Sequence, residues 1–112
     1  MTCNAACARA PGAVTRKPVV FDSAAFAEAE AAAEWYRQRS ERAAARFLDE
    51  LDRAIEQISS APNRFPAFEF GTRRMLLRRF PYSVVFRETA TRLEVVAVAH
   101  GHRRPGYWRD RI

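Results

Sequence analysis

The sequence predicts an α+β domain of order β-α-α-β-β-β, a helical hairpin packed on a small antiparallel sheet with a short closing segment. Three observations predict it. Two consecutive stretches within residues 22–61 repeat apolar residues every three or four positions, the period of helices buried on one side. Three later stretches, between residues 72 and 100, are rich in β-branched and aromatic residues and are separated by short polar breaks, the pattern of an antiparallel meander. At 112 residues and 48% apolar content, the chain can bury one core and form one domain.

Residues 1–15 lack periodicity and contain Pro11 and Gly12, so a disordered extension is expected there, with the domain over 16–112. Both cysteines, Cys3 and Cys7, fall in that extension. Without a nearby histidine or a third cysteine they read as free thiols rather than metal ligands. "RKPVVF" (16–21) reads as the first strand, and because Pro18 has no N–H to donate the strand should begin there or lie at a sheet edge. Asp22 or Ser23 is placed to cap the first helix by accepting an orphan backbone N–H. Phe26, Ala29, Ala33 and Tyr36 form its apolar stripe, with Glu28, Glu30 and Glu34 early and Arg37 and Arg39 late, as the helix dipole favours. Ser40 ends this helix and caps the second. There Ala44, Phe47, Leu48, Leu51, Ile55 and Ile58 form a wide stripe, and Pro62 stops the helix. Almost no loop separates the two, so they form an antiparallel hairpin.

"RFPAFEFG" reads as an irregular connector folded over the core. In "TRRMLLRRF" (72–80) strict alternation would put Arg74, Leu76 and Arg78 on one face and Arg73, Met75, Leu77 and Arg79 on the other. "YSVVFRE", a "TAT" turn and "RLEVVAVAH" complete the meander. The successive apolar residues of "VVAVA" predict a strand covered on both faces, and helix two is expected to lie on Val84, Phe86, Val96 and Val98.

Charge is unevenly distributed. The chain carries +6, and eighteen of its nineteen basic residues are arginine. Residues 22–61 hold five arginines against nine acids, a balance of −4, whereas residues 62–112 hold eleven against four, a balance of +7. A one-sided field of this kind suits a polyanion or an acidic protein, or else arginines that merely coat a solvated sheet face. No stretch reaches eighteen apolar residues, and the opening is too short and interrupted for a signal peptide, so no membrane partner and a cytoplasmic location are expected. Both histidines of the chain lie in "HGHRRPGYW" (100–108), where the last strand ends, together with Arg103, Arg104, Tyr107 and Trp108. This run is too polar for a core and reads as a functional rim.

Taken in order, "AEWYRQRSERAAARFLDELDRAIEQISSAPNRFP", "RRMLLRRFPYSVVFRE" and "VVAVAHGHRRPGYW" resemble the RelE/ParE family of toxins from type II toxin–antitoxin modules, of plasmid-stabilisation type, over about residues 19–109. The resemblance implies the β-α-α-β-β-β fold, growth inhibition, a cognate antitoxin that wraps the toxin in a hetero-oligomer, and no cofactor or metal. It also implies two branches. One cuts mRNA on the ribosome; the other poisons DNA gyrase. For the first, a metal-independent endoribonuclease, the candidate catalytic residues are His100, His102, Arg78 and Tyr107: proton donors and acceptors, and a cation to steady the phosphorane. For the second, a non-enzymatic inhibitor, the candidate target-binding residues are Arg74, Arg78, Arg103, Arg104, Tyr107 and Trp108. The nuclease branch commonly carries lysines along the second strand or the preceding helix. This chain has none after Lys17, and arginine is a poor proton donor. The reading therefore favours gyrase, with mRNA cleavage and a non-toxic nucleic-acid-binding module as the alternatives. In each case His100 has a plainer role as the end of a strand, and Trp108 as packing in a C-terminal lid.

Overall fold

The computed structural model describes residues 17–112, so the expectations for residues 1–15, and Arg16 as a strand residue, lie outside the described residues. The described chain forms β1 (Val19–Phe21), α1 (Ser23–Arg37), α2 (Glu41–Ser60), β2 (Ala67–Phe68), β3 (Thr72–Leu76), β4 (Tyr82–Glu88) and β5 (Leu93–His100). Short 3₁₀ turns occupy Pro62–Arg64, Glu69–Gly71 and Arg109–Arg111. The two helices pack on one sheet of order β1-β5-β4-β3-β2. The meander is antiparallel as expected, β1 adds to β5 in parallel, and the connector supplies the additional edge strand β2.

Capping follows the sequence. The Asp22 carboxylate accepts the Ala24 N–H (2.9 Å), and the Ser40 hydroxyl accepts that of Ala43 (3.2 Å), so each helix begins on a satisfied donor. The face of α1 toward the sheet is made of alanines: Ala25, Ala29, Ala32 and Ala33 are buried. That small-residue face lets the helix lie close. It also leaves Phe26, expected in the stripe, 53% exposed at the border with α2, its ring edge-on to Phe21. On α2, Phe47, Leu51, Ala54 and Ile58 are buried while Leu48 stays 38% exposed, because the helix meets the sheet along a narrower strip than its apolar stripe.

Two departures from alternation matter for the site. In β4–β5, Val85 faces Ala97 and Phe86 faces Val95, leaving Val96 without a partner. This extra residue is a β-bulge, and it flips the faces. Val95 and Val98 turn to the helices, whereas Val96, expected beneath α2, joins Val85, Ala97, Ala99 and Trp108 on the outer face. The second departure is that β3 stops at Leu76. Arg78 and Arg79 leave the strand, and both their backbone N–H groups point to Glu50 of α2. The arginine ladder expected over residues 72–80 is thereby broken after Arg74.

Candidate functional site

The site grows from the end of β5. The Gly101 N–H donates to the Pro81 carbonyl (2.8 Å) and the Arg103 N–H to that of His100 (3.0 Å), turning the chain across the outer face. Trp108 then drives into that face, 1% exposed, with Phe68 and Phe70 against its indole. Gly106 permits this return. Its φ is +79°, and a Cβ there would stand 2.9 Å from the Phe70 ring.

One carboxylate ties the segment down. Glu28 of α1 accepts the Tyr107 hydroxyl (2.8 Å), two guanidinium N–H groups of Arg111 (3.1 and 3.0 Å) and the backbone N–H of Val98 (3.0 Å). Arg111 also donates to the Val96 carbonyl (2.9 Å). Burial, and then the hydrogen bond and charge of Glu28, push the Tyr107 phenol far above its ordinary range, so its proton is held. The hydrogen bond to Glu28 likewise holds Arg111 more firmly protonated. Above the Tyr107 ring, the Arg103 guanidinium lies 3.9 Å from the centroid, and Arg74 covers Phe68 at 4.2 Å.

The structure therefore brings Arg74, Arg103, Arg104 and Tyr107 to one cleft on the outer face, whose lining contains no carboxylate. Two large apolar side chains stand exposed beside it: Leu76 (62%), paired with the cleft residue Ser83, and Phe70 (50%), against Trp108. The other candidates are placed differently. Trp108, a target-binding candidate with packing in a C-terminal lid as its plainer role, is buried and packs on the outer face of the sheet rather than standing free as an anchor. Arg78 lines a separate cleft with Arg46, Glu50 and Arg53 of α2. His100 lies edge-on to Tyr82 (5.0 Å) and flat against His102 (5.1 Å), and its Nδ1 accepts the His102 backbone N–H. It borders both the outer-face cleft and a second cleft shared with Trp35 and Tyr36 of α1. Of the four candidate catalytic residues, His100 and Tyr107 thus share the outer-face cleft, His102 lies against His100 and Arg78 stands apart; of the six target-binding candidates all but Arg78 line that cleft, Trp108 as a buried side chain. Among the described residues, no group of three or more His, Cys, Asp or Glu is gathered as a metal site would require.

A family model described as the ParE toxin of the type II toxin–antitoxin system parDE matches residues 19–105. The chain belongs to the ParE toxin family. It is thus the toxin component of a type II toxin–antitoxin system. A solved structure titled as a chromosomal ParDE toxin–antitoxin system from P. aeruginosa has the same fold, with a TM-score of 0.67 at 16% identity, covering 76% of this chain and 96% of that one. No curated protein sequence matches significantly. Among the described residues, no helix of this ParE-family toxin is long and apolar enough to cross a membrane.

Sequence reading missed three parts of the toxin's site. Glu28 was counted with acids suited to the helix dipole, yet no acid occupies the first turn of α1. The available signal was its place four residues before the buried Ala32, at the margin of the apolar face. Arg111 had no signal, being one arginine among many. Phe70 sits in a stretch that reads as a connector folded over the core, and Leu76 on a strand face where the arginines draw the attention.

Proposed function

We propose that this ParE-family toxin stops growth by binding DNA gyrase through the outer face of its sheet, and that its antitoxin seats an apolar segment on the helical hairpin. The observation that carries the first part is the convergence of Arg74, Arg103, Arg104 and Tyr107 in an acid-free cleft flanked by exposed Leu76 and Phe70. Arginine and aromatic anchors beside exposed apolar groups are the composition of a protein-binding surface. Metal-independent RNA cleavage asks for a base, an acid and a cation around one phosphate. The dispersal of Arg78 from the histidines and the held phenol proton of Tyr107 disfavour that arrangement.

For the antitoxin, a groove of about 650 Å³ runs between α1 and α2, floored by Ala29, Ala33, Leu51 and Ile55 and walled by Phe26 and Leu48. Its rim is acidic, with Glu30, Glu34 and Asp52 against Arg37. A segment lying there needs apolar anchors to meet that floor.

The test is purified toxin with gyrase and relaxed plasmid, alongside mRNA from induced cells. Supercoiling should be inhibited while mRNA stays intact. Cleaved mRNA with normal supercoiling would overturn the reading.

A further inference from the structure

Glu28 lies in α1, seventy-nine residues before Tyr107, yet its carboxylate accepts the Tyr107 hydroxyl. The reason begins with the sheet edge. β1 ends at Phe21, opposite Val95, so β5 has no strand partner on that side beyond this point. A buried backbone group without a partner is costly, and side chains must serve. The Val98 N–H finds Glu28, and the Val96 carbonyl finds Arg111. The two side chains that replace the missing strand are also bonded to one another in a two-pronged ion pair.

The remaining acceptor capacity of that carboxylate takes the Tyr107 hydroxyl. This fixes one edge of the phenol ring, whose face then carries Arg103. Position is transmitted from Glu28 to Tyr107 and from Tyr107 to Arg103. The Arg103 guanidinium itself is exposed and has no acidic partner among the described residues, so the stacked ring is what orients it.

We propose that Glu28 is the positioning residue of the target-binding rim: it holds Tyr107 and the C-terminal segment so that Arg103 presents its guanidinium outward. The proposal rests on the assignment of that rim to the target. It requires no contact between Glu28 and the target. It assigns to α1 a second task on the side turned away from the α1–α2 groove, so the groove should keep its own affinity when the rim is loosened.

The experiment compares Glu28→Ala, Glu28→Gln, Tyr107→Phe and Arg111→Ala with the wild type in the full chain. Three quantities are read: the inducer dose that halves growth, the affinity for the antitoxin, and the titration of tyrosine by ultraviolet absorbance. Glu28→Ala should weaken growth inhibition about tenfold or more, and Tyr107→Phe about threefold, with antitoxin affinity held within about threefold. Glu28→Gln, which keeps shape and one acceptor oxygen, should recover part of the loss. It should also bring the Tyr107 titration down, while Tyr36 and Tyr82, raised first by burial, stay in place. Full growth inhibition by a folded Glu28→Ala toxin would overturn the proposal. So would a parallel loss of growth inhibition and antitoxin affinity, which marks a clip for the whole domain. Should Glu28→Ala fail to fold, undiminished potency of Tyr107→Phe would overturn it instead. Failure of the gyrase assignment is separately visible, as growth inhibition by the wild type without any effect on supercoiling.

Discussion

The two faces of the sheet are covered by different means. The inner face lies under two helices, and its core is an apolar cluster with Phe47, Leu51, Ile58, Val84 and Phe86 at its centre. The outer face lies under one buried indole and an irregular segment held by polar bonds to Glu28. A helix face distributes its stabilisation over many side chains and tolerates the thinning of one. A strap of twelve residues, 101–112, concentrates it in Trp108 and one carboxylate. The inner face should therefore fail globally and the outer face locally, and the proposed target-binding arginines sit on the face that can loosen first.

The largest effect is expected at Trp108. Trp108→Ala should cost about 3–5 kcal/mol if the strap and the domain unfold together. Part of that loss should be local: trypsin should cut after Arg103 or Arg109 faster in the variant while helical circular dichroism persists at low temperature. Unchanged proteolysis would remove the distinction between the faces.

Next comes Leu51, buried between α2 and the sheet. Leu51→Ala should cost about 2–5 kcal/mol, enough to lower the melting temperature by many degrees in a domain this small. Helical and tertiary signals should melt together. A strap released before the helices in this variant would break the contrast from the other side.

Gly106→Ala should fall below both, at about 1–3 kcal/mol, through its left-handed φ and the approach to Phe70. The readout is the exposure of Trp108, as a red shift of its fluorescence, with the midpoint of helix melting moving less than in Leu51→Ala.

The smallest effect concerns Glu94, whose carboxyl is held below its ordinary value by hydrogen bonds from Arg87 and Arg92. A depressed folded-state value stabilises above pH 4.5 and is lost as pH falls through the folded value. The wild type should lose stability below pH 4.5 more steeply than Glu94→Gln. Parallel curves would show that these two arginines contribute nothing to this edge.

The inner face was legible because helix periodicity is a local property. Phe47, Leu51 and Ile58 advertise their burial by spacing, Asp22 and Ser40 mark the helix starts, and Pro62 marks the stop. The family resemblance was legible for a related reason, since ordered motifs survive as strings, and the family match over residues 19–105 rests on the same stretch. The candidate site was half legible. Arg74, Arg103, Arg104 and Tyr107 belong to runs that look functional, and they converge. Trp108 belongs to the same run and is core, because a sequence does not say which of two adjacent aromatics will find an uncovered sheet face.

By itself, then, the sequence determined the helical hairpin, the antiparallel meander, the acidic and basic halves and the family, since each follows from residues that are near neighbours in the chain. Only the tertiary structure decided that β1 runs parallel to β5, that a bulge turns Val96 away from α2, that Arg78 parts from the histidines, and that Glu28 reaches Tyr107 and Arg111. The last of these depends on where a three-residue strand runs out and which backbone groups it leaves unpaired. That is a matter of hydrogen-bond satisfaction across seventy or more positions, and no local pattern of side chains carries it.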